Sequence, residues 1–239
     1  MQSKIIWSFE AKEEDVRGSI VVVVDVWAAT SNIALMLAHG AKELILVDEQ
    51  TIRSTIQRIP KALVVGESLD SSITELFSCS NSPCDIDKLD VDGKSIIYMT
   101  NNGTRVISHA LAQGATSVLT ASYLNILAVA KTLQQRKKEP CVIIASGERT
   151  IADTIPDKKA WEDYYCSEAL QEVIRGGNVN WKTRMNQSKE FITQHYDYSM
   201  ESLQLVHQID NATVLPQFIR GADGFIRNHS ISQFTYILF

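Results

Sequence analysis

The chain has 239 residues, 45% of them hydrophobic and 21% charged, with a formal net charge of −5. This is the composition of one large globular domain, read here as residues 1–239, which buries roughly 70–75% of its unfolded surface without disulfides or metal clips. The acidic balance excludes the broad positive field of a non-specific nucleic-acid binder, yet a local pocket can still take small anions. No apolar run reaches the roughly 18–20 residues of a membrane span, so no membrane partner is expected. The opening MQSKIIWSFEAKEEDVRG lacks the apolar stretch of a secretion signal. Cys79, Cys84, Cys141 and Cys166 form no CxxC pair, which fits free thiols in a cytoplasmic protein.

In chain order, short Val- and Ile-rich runs recur at Ile20–Val26, Leu44–Val47, Ala62–Val65, Ser95–Met99, Ser117–Thr120 and Cys141–Ala145. They do not alternate with polar residues, which is how strands buried on both faces read. Helix-period stretches lie between them, at Asn32–His39, Thr104–Gln113 and Asn125–Gln135, the first two stopped by Gly40 and Gly114. The pattern predicts an α/β protein of three layers, α/β/α, around a mostly parallel sheet. Farther on, Lys159–Arg175 reads as an amphipathic helix and Ser188–Gln208 as one broken helix or two short ones. Residues Asn211–Phe239 read as an edge strand or a hairpin.

A weak repeat runs through the first half. Leu37-Ala38-His39-Gly40-Ala41 matches Leu111-Ala112-Gln113-Gly114-Ala115, and the same offset sets Ala29-Thr30 against Gly103-Thr104. Generic likeness of βαβ units and true duplication both account for it. Either way, two equivalent turns open helices at strand ends, where ligands sit in open α/β sheets.

Several well-known chemistries fail on inspection. There is no GxxxxGK[ST] or GxGxxG, and no GxSxG around Ser146. Two residues after Asp25 stands Trp27 rather than a second acid, and no cysteine is followed by arginine at the spacing of cysteine phosphatases. The five histidines show no metal spacing. What survives is polar residues at strand ends. Thr30 and Ser31 follow Asp25 at a helix start, where exposed N–H groups suit an anion, although a simple N-cap serves as well. Asn102, Gly103 and Thr104 form a bend able to turn successive N–H groups inward, with Arg105 beside it. Asp25, Glu67, Glu162 and Asp163 are the oxygen ligands that Mg²⁺ prefers.

Taken in order, these segments resemble the 2-phosphosulfolactate phosphatase family, the ComB-like enzymes. The residues that carry the likeness are Asp25-Val26-Trp27-Ala28-Ala29-Thr30, Gly66-Glu67, Asn81-Ser82-Pro83, Thr100-Asn101-Asn102-Gly103-Thr104 and Glu162-Asp163-Tyr164-Tyr165-Cys166. The resemblance implies a Mg²⁺-dependent hydrolase that converts 2-phosphosulfolactate to 3-sulfolactate and phosphate, a step toward coenzyme M. It implies catalytic roles for Asp25, Glu162 and Asp163 and a metal set drawn from Asp25, Glu67, Glu162 and Asp163. A small anionic substrate would be held by Thr30, Ser31, Asn81, Ser82, Asn102, Gly103, Thr104 and Arg105. One departure matters: the family's first turn carries an arginine where this chain has Ala28, and alanine supplies neither charge nor hydrogen bond. The alternative expectation is therefore a catalytically eroded relative that binds an anion or a partner without turnover. Association as a homodimer through exposed helices is the oligomeric expectation.

Overall fold

Runs of β-branched residues become the central strands because both their faces are covered. A computed structural model describes residues 2–148 and 156–230. Within them lie β1 (Ser3–Trp7), β2 (Ile20–Val24), β3 (Glu43–Leu46), β4 (Leu63–Gly66), β5 (Ser95–Met99), β6 (Ser117–Ala121), β7 (Cys141–Ala145), β8 (Pro216–Arg220) and β9 (Ile226–Ser230). They form one sheet in the order β1-β7-β2-β6-β8-β9-β3-β5-β4. In β2, side chains alternate between two cores. Val21 and Val23 pack with Ile33 and Met36 of α2 (Ala29–Ala38) and Ile107 of α6 (Gly103–Ala112). Ile20, Val22 and Val24 pack with Val129 and Leu133 of α7 (Ile126–Gln135), and with Ala169 and Leu170 of α8 (Trp161–Ile174). This is the three-layer α/β/α arrangement expected from the pattern.

The carboxyl-terminal third differs in one respect from expectation. The helical stretch resolves into α9 (Trp181–His195) and α10 (Met200–Leu205), and the tail forms the β8–β9 hairpin. That hairpin sits in the middle of the sheet, antiparallel to β6 on one side and β3 on the other. Each of those pairings covers only two residue pairs, Val118↔Phe218 with Leu119↔Gln217, and Ile45↔Arg227 with Leu46↔Ile226. Alternating exposure along Pro216–Arg220 imitates an edge strand because so little of it is covered.

The hairpin divides the parallel strands into two blocks, β1-β7-β2-β6 and β3-β5-β4, running in opposite directions. The sequence repeat explains this layout. Gly40 and Gly114 both adopt φ +86°, and after each the next amide reaches back to the helix, Ala41 N to Met36 O at 3.0 Å and Ala115 N to Ala110 O at 3.2 Å. Glycine is needed at both stops because a Cβ is strained at that φ. The loop ahead of β2 then ties to one stop, Gly18 N to Gly114 O, and the loop ahead of β5 to the other, Gly93 N to Gly40 O, both at 2.9 Å. Thus β2–α2–β3 and β5–α6–β6 exchange their end strands: β2 pairs with β6, and β5 with β3.

Candidate active site

Exchange of strands brings the two helix-opening turns face to face. After β2, Asp25 is buried, and its Oδ1 accepts the Ala29 amide at 3.1 Å. Thr30 Oγ1 accepts from Asp25 N (3.0 Å) and donates to Asp25 O (2.7 Å). After β5 the same device recurs, with Thr104 Oγ1 accepting from Thr100 N (3.1 Å) and donating to Thr100 O (3.0 Å). Where the turns meet, a Cβ on Gly103 would stand 2.5 Å from Ala29 Cβ and 2.8 Å from Asp25 Oδ2. Only glycine allows that approach. Gly103→Ala is accordingly expected to lose about 1–3 kcal/mol of stability through overpacking and to lower any activity disproportionately, by shifting Asp25. Urea melts and turnover on the same preparation check this; a variant of unchanged stability and activity refutes the contact.

Two more strand ends and the start of one helix contribute. Glu67, after β4, accepts the Asn101 amide at 3.3 Å, so the turn after β5 is stapled to the end of β4. Asn81 lies beside Glu67 and accepts from Asn32 Nδ2 (2.9 Å) and Tyr98 Oη (2.6 Å). After β7 come Ser146 and Glu148, both buried; Ser146 lies beside Asp25, and Glu148 Oε1 accepts from Asn102 Nδ2 at 3.0 Å. From α8, Asp163 receives the amides of Val26 (2.7 Å) and Gly147 (3.1 Å) on its two oxygens. Its neighbour Glu162 faces Tyr196 and keeps Oε2 buried without a hydrogen bond, as does Asn102 Oδ1.

Burial governs the acidity of this cluster. It is the largest influence raising Asp25 to about 7, with the charges of Glu67 and Glu148 adding to it and the Ala29 amide opposing. Glu162 rises to about 8 by burial, reinforced by Asp25 and Glu148. Asp163 and Glu67 are likewise raised, chiefly by burial. Among the described residues, Asp25, Glu67, Glu162 and Asp163 form no ion pair with lysine or arginine. Two cavities flank the cluster. One, about 970 Å³, is lined by Asn101, Asn102, Arg105, Ser146, Lys158 and Arg220 among others. The other, about 820 Å³, includes Ala28, Glu67, Asn81, Ser82 and Cys84 in its wall.

The expected residues therefore separate. Asp25, Glu67, Glu162 and Asp163 come together, with Asn81, Asn102 and Gly103 around them, while Arg105 is exposed on the wall of the larger cavity. Thr30, Ser31 and Thr104 are buried, and their hydroxyls hold the backbone of their own turns, Ser31 Oγ donating to Val26 O at 2.9 Å; Thr104 also forms part of the wall of the larger cavity. Asp163 is committed to two backbone amides. Among the described residues no three His, Cys, Asp or Glu side chains are placed to hold one metal ion. Ser146, weighed in the sequence only as a GxSxG serine, and Glu148 are not among the expected site residues. Their signal was position, directly after the buried run Cys141–Ala145, as Asp25 follows Ile20–Val24.

The profile of the 2-phosphosulfolactate phosphatase family matches residues 7–223. The chain belongs to that family. A Clostridium tetani protein named probable 2-phosphosulfolactate phosphatase is 29% identical over 91% of this chain and 97% of its own length. A Clostridium perfringens protein of the same name is 36% identical over 56% of this chain and 55% of its own, and one from Thermoplasma volcanium is 25% identical over 89% and 95%. For a member of the 2-phosphosulfolactate phosphatase family, the position of Ala28 is telling. It is buried at the wall of the 820 Å³ cavity, three residues beyond Asp25, so that wall has no first-turn charge.

Proposed function

We propose that this chain is a phosphomonoester hydrolase releasing phosphate from a small phosphorylated acid, 2-phosphosulfolactate to 3-sulfolactate, in the presence of Mg²⁺. The observation that carries the reading is the crowd of carboxyl groups at four strand and helix ends, Asp25, Glu148, Glu162 and Asp163 buried and Glu67 half-buried, where among the described residues no lysine or arginine pairs with Asp25, Glu67, Glu162 or Asp163. Such a crowd favours either protons or a hard cation. Mg²⁺ commonly takes one or two carboxylates and leaves its other positions to water and phosphate, so three converging acids are not required. Asp25 and Glu162 suit it: among the described residues Glu162 Oε2 is buried with no hydrogen-bond partner, and the Ala29 amide goes to Asp25 Oδ1 and leaves Oδ2 to other partners; Glu67 and Glu148 stand next to Asp25. When bound, the ion would neutralise charge on the phosphoryl and leaving oxygens.

The chain's own groups carry the rest. Asn101 and Asn102 line the larger cavity and would take the non-bridging phosphoryl oxygens, with Arg105 on the same wall. Asp163 fixes the ends of β2 and β7 relative to each other through its two amide contacts, holding Asp25 and Glu148 in register. Asn81, tied to Tyr98 and Asn32, keeps Glu67 in place from the other cavity. Four cysteines that are all free suit the reducing cytoplasm, where we place the protein. No helix among the described residues is long and apolar enough to cross a membrane.

Phosphate release from 2-phosphosulfolactate, with Mg²⁺ and with chelator, tests the reading. Metal-dependent release is the expected result, and its absence at high enzyme concentration sinks it. Ala28 favours a second reading, in which the fold binds an anion without turning it over. Thermal stabilisation by phosphate or sulfolactate together with no hydrolysis would select that reading.

A further inference from the structure

The geometry points to a division of labour between the two cavities: we infer that Lys158, with Arg105 and Arg220, seats the acid group that the substrate carries beside its phosphate. The inference rests on the hydrolase reading above and specifies which side of the carboxyl cluster the organic part of the ester occupies.

The cavities differ in charge: Glu67 of the cluster lines the smaller one, while the larger one reaches the cluster through Asn102 and Ser146. No lysine, arginine or histidine is among the described residues lining the cavity beside Ala28, whereas Glu67 and Asp197 are. A carboxylate or sulfonate placed there would meet like charge in a partly buried space and find no counter-charge. The larger cavity carries Arg105, His109, Lys158 and Arg220. Its two acids are engaged with neighbours: Asp48 Oδ1 accepts the Thr51 amide at 2.9 Å, and Glu49 Oε1 accepts from Ser68 Oγ at 3.1 Å. Among the described residues, Arg105, Lys158 and Arg220 enter no ion pair. Three unpaired cations around one cavity in a chain of net charge −5 are complementary to a ligand with more than one negative group.

Lys158 is the residue tied most directly to the acids. Its carbonyl accepts the Glu148 amide at 3.0 Å, and the residue is part of the cavity wall. Its φ is +59°, and that of Asp157 before it is +60°. Two successive non-glycine residues in the left-handed region are uncommon and persist where the surroundings hold them, most often at functional sites. The backbone here is tied to the cluster through the Glu148 amide, and the exposed Lys158 starts from that contact.

Hydrolysis of 2-phosphosulfolactate is to be compared with that of phenyl phosphate, which lacks the acid, in wild type, Lys158→Met and Lys158→Arg. The ratio of kcat/KM for the acidic ester over the neutral one is expected to fall at least about tenfold in Lys158→Met, mostly through KM, as the loss of one charge-assisted hydrogen bond implies. Lys158→Arg should bring the ratio back to within about threefold of wild type, since the charge returns. An unchanged ratio in Lys158→Met overturns the assignment. Should that variant fail to fold, Arg105→Gln must move the same ratio in the same direction. If wild type hydrolyses neither ester, the hydrolase reading falls, and calorimetric binding of 3-sulfolactate decides the inference alone. Affinity lost in Lys158→Met and retained in Lys158→Arg upholds it; affinity unchanged in Lys158→Met overturns it.

Discussion

Asp25→Asn is expected to lower phosphate release by about 10³-fold, the scale of removing a group that acts directly on the reacting atoms. The replacement is nearly isosteric, and its Oδ1 can keep the Ala29 amide that Asp25 holds at 3.1 Å, so the turn should survive. What disappears is the one carboxylate that both repeats touch, from its own helix start and from Gly103 across the crossing. A second readout separates chemistry from damage. Burial and the charges of Glu67 and Glu148 make ionised Asp25 costly, so without metal the Asn variant should melt at a higher temperature than wild type at mildly alkaline pH. Activity within tenfold of wild type would remove Asp25 from the mechanism, and loss of activity accompanied by lower thermal stability would point to misfolding.

The stability of the metal-free protein should fall as pH rises toward about 8. Asp25 and Glu162 stand at about 7 and about 8 in the folded chain, above the ordinary carboxylate range that they regain on unfolding. Between those limits the folded state binds more protons than the unfolded, so the stability they contribute is complete below about pH 4 and is lost as pH climbs through the folded values. The loss is on the order of 4 kcal/mol for each group. His207 works the other way. Buried against Ser188, with Nε2 2.8 Å from its hydroxyl, it is lowered to about 4, chiefly by burial. Its contribution is full above the ordinary histidine value of about 6.5 and is lost as pH falls toward about 4. The melting temperature should therefore change gently below about pH 6.5, where the two effects oppose, and drop steeply above it. Saturating Mg²⁺ should flatten the upper limb by taking the place of the protons. Melting curves across this range, with chelator and with Mg²⁺, decide the matter; a metal-free melting temperature that holds or rises up to about pH 8 contradicts the account.

Much of the central sheet could be read from the chain because its strands are covered on both faces. Ser95–Met99 and Cys141–Ala145 appear in the structure with the bounds that their apolar runs suggest, and Gly40 and Gly114 end their helices as glycine stops should. The first strand, Ser3–Trp7, was missed, since only its two end residues are buried and no Val-rich run announces it. The direction of the blocks was also hidden. Nothing local in β3 records that its neighbour is β9 rather than β2; that follows from pairing between distant parts of the chain, as in Ile45↔Arg227. At the site, acids placed directly after buried strands were legible, Asp25 and Glu67 above all. The hydroxyls of Thr30, Ser31 and Thr104 misled because the residue types that welcome an anion at a helix start also cap the chain itself, and here the closed crossing at Gly103 leaves them only the second task.

Mutual exchange of end strands has a consequence for how chemistry arises in this fold. Two matching turns set about a common centre would, if identical, offer a ligand the same thing from both sides and define no direction for bond breaking. The polarity of the pocket comes from mismatch between the partners: the residue whose amide binds the helix-start threonine is the acid Asp25 in one turn and Thr100 in the other, and one has a methyl at Ala29 where the other has only hydrogen at Gly103. Swapping residues between these matched positions, rather than altering either alone, would reverse the bias of the pocket while leaving the scaffold's composition untouched.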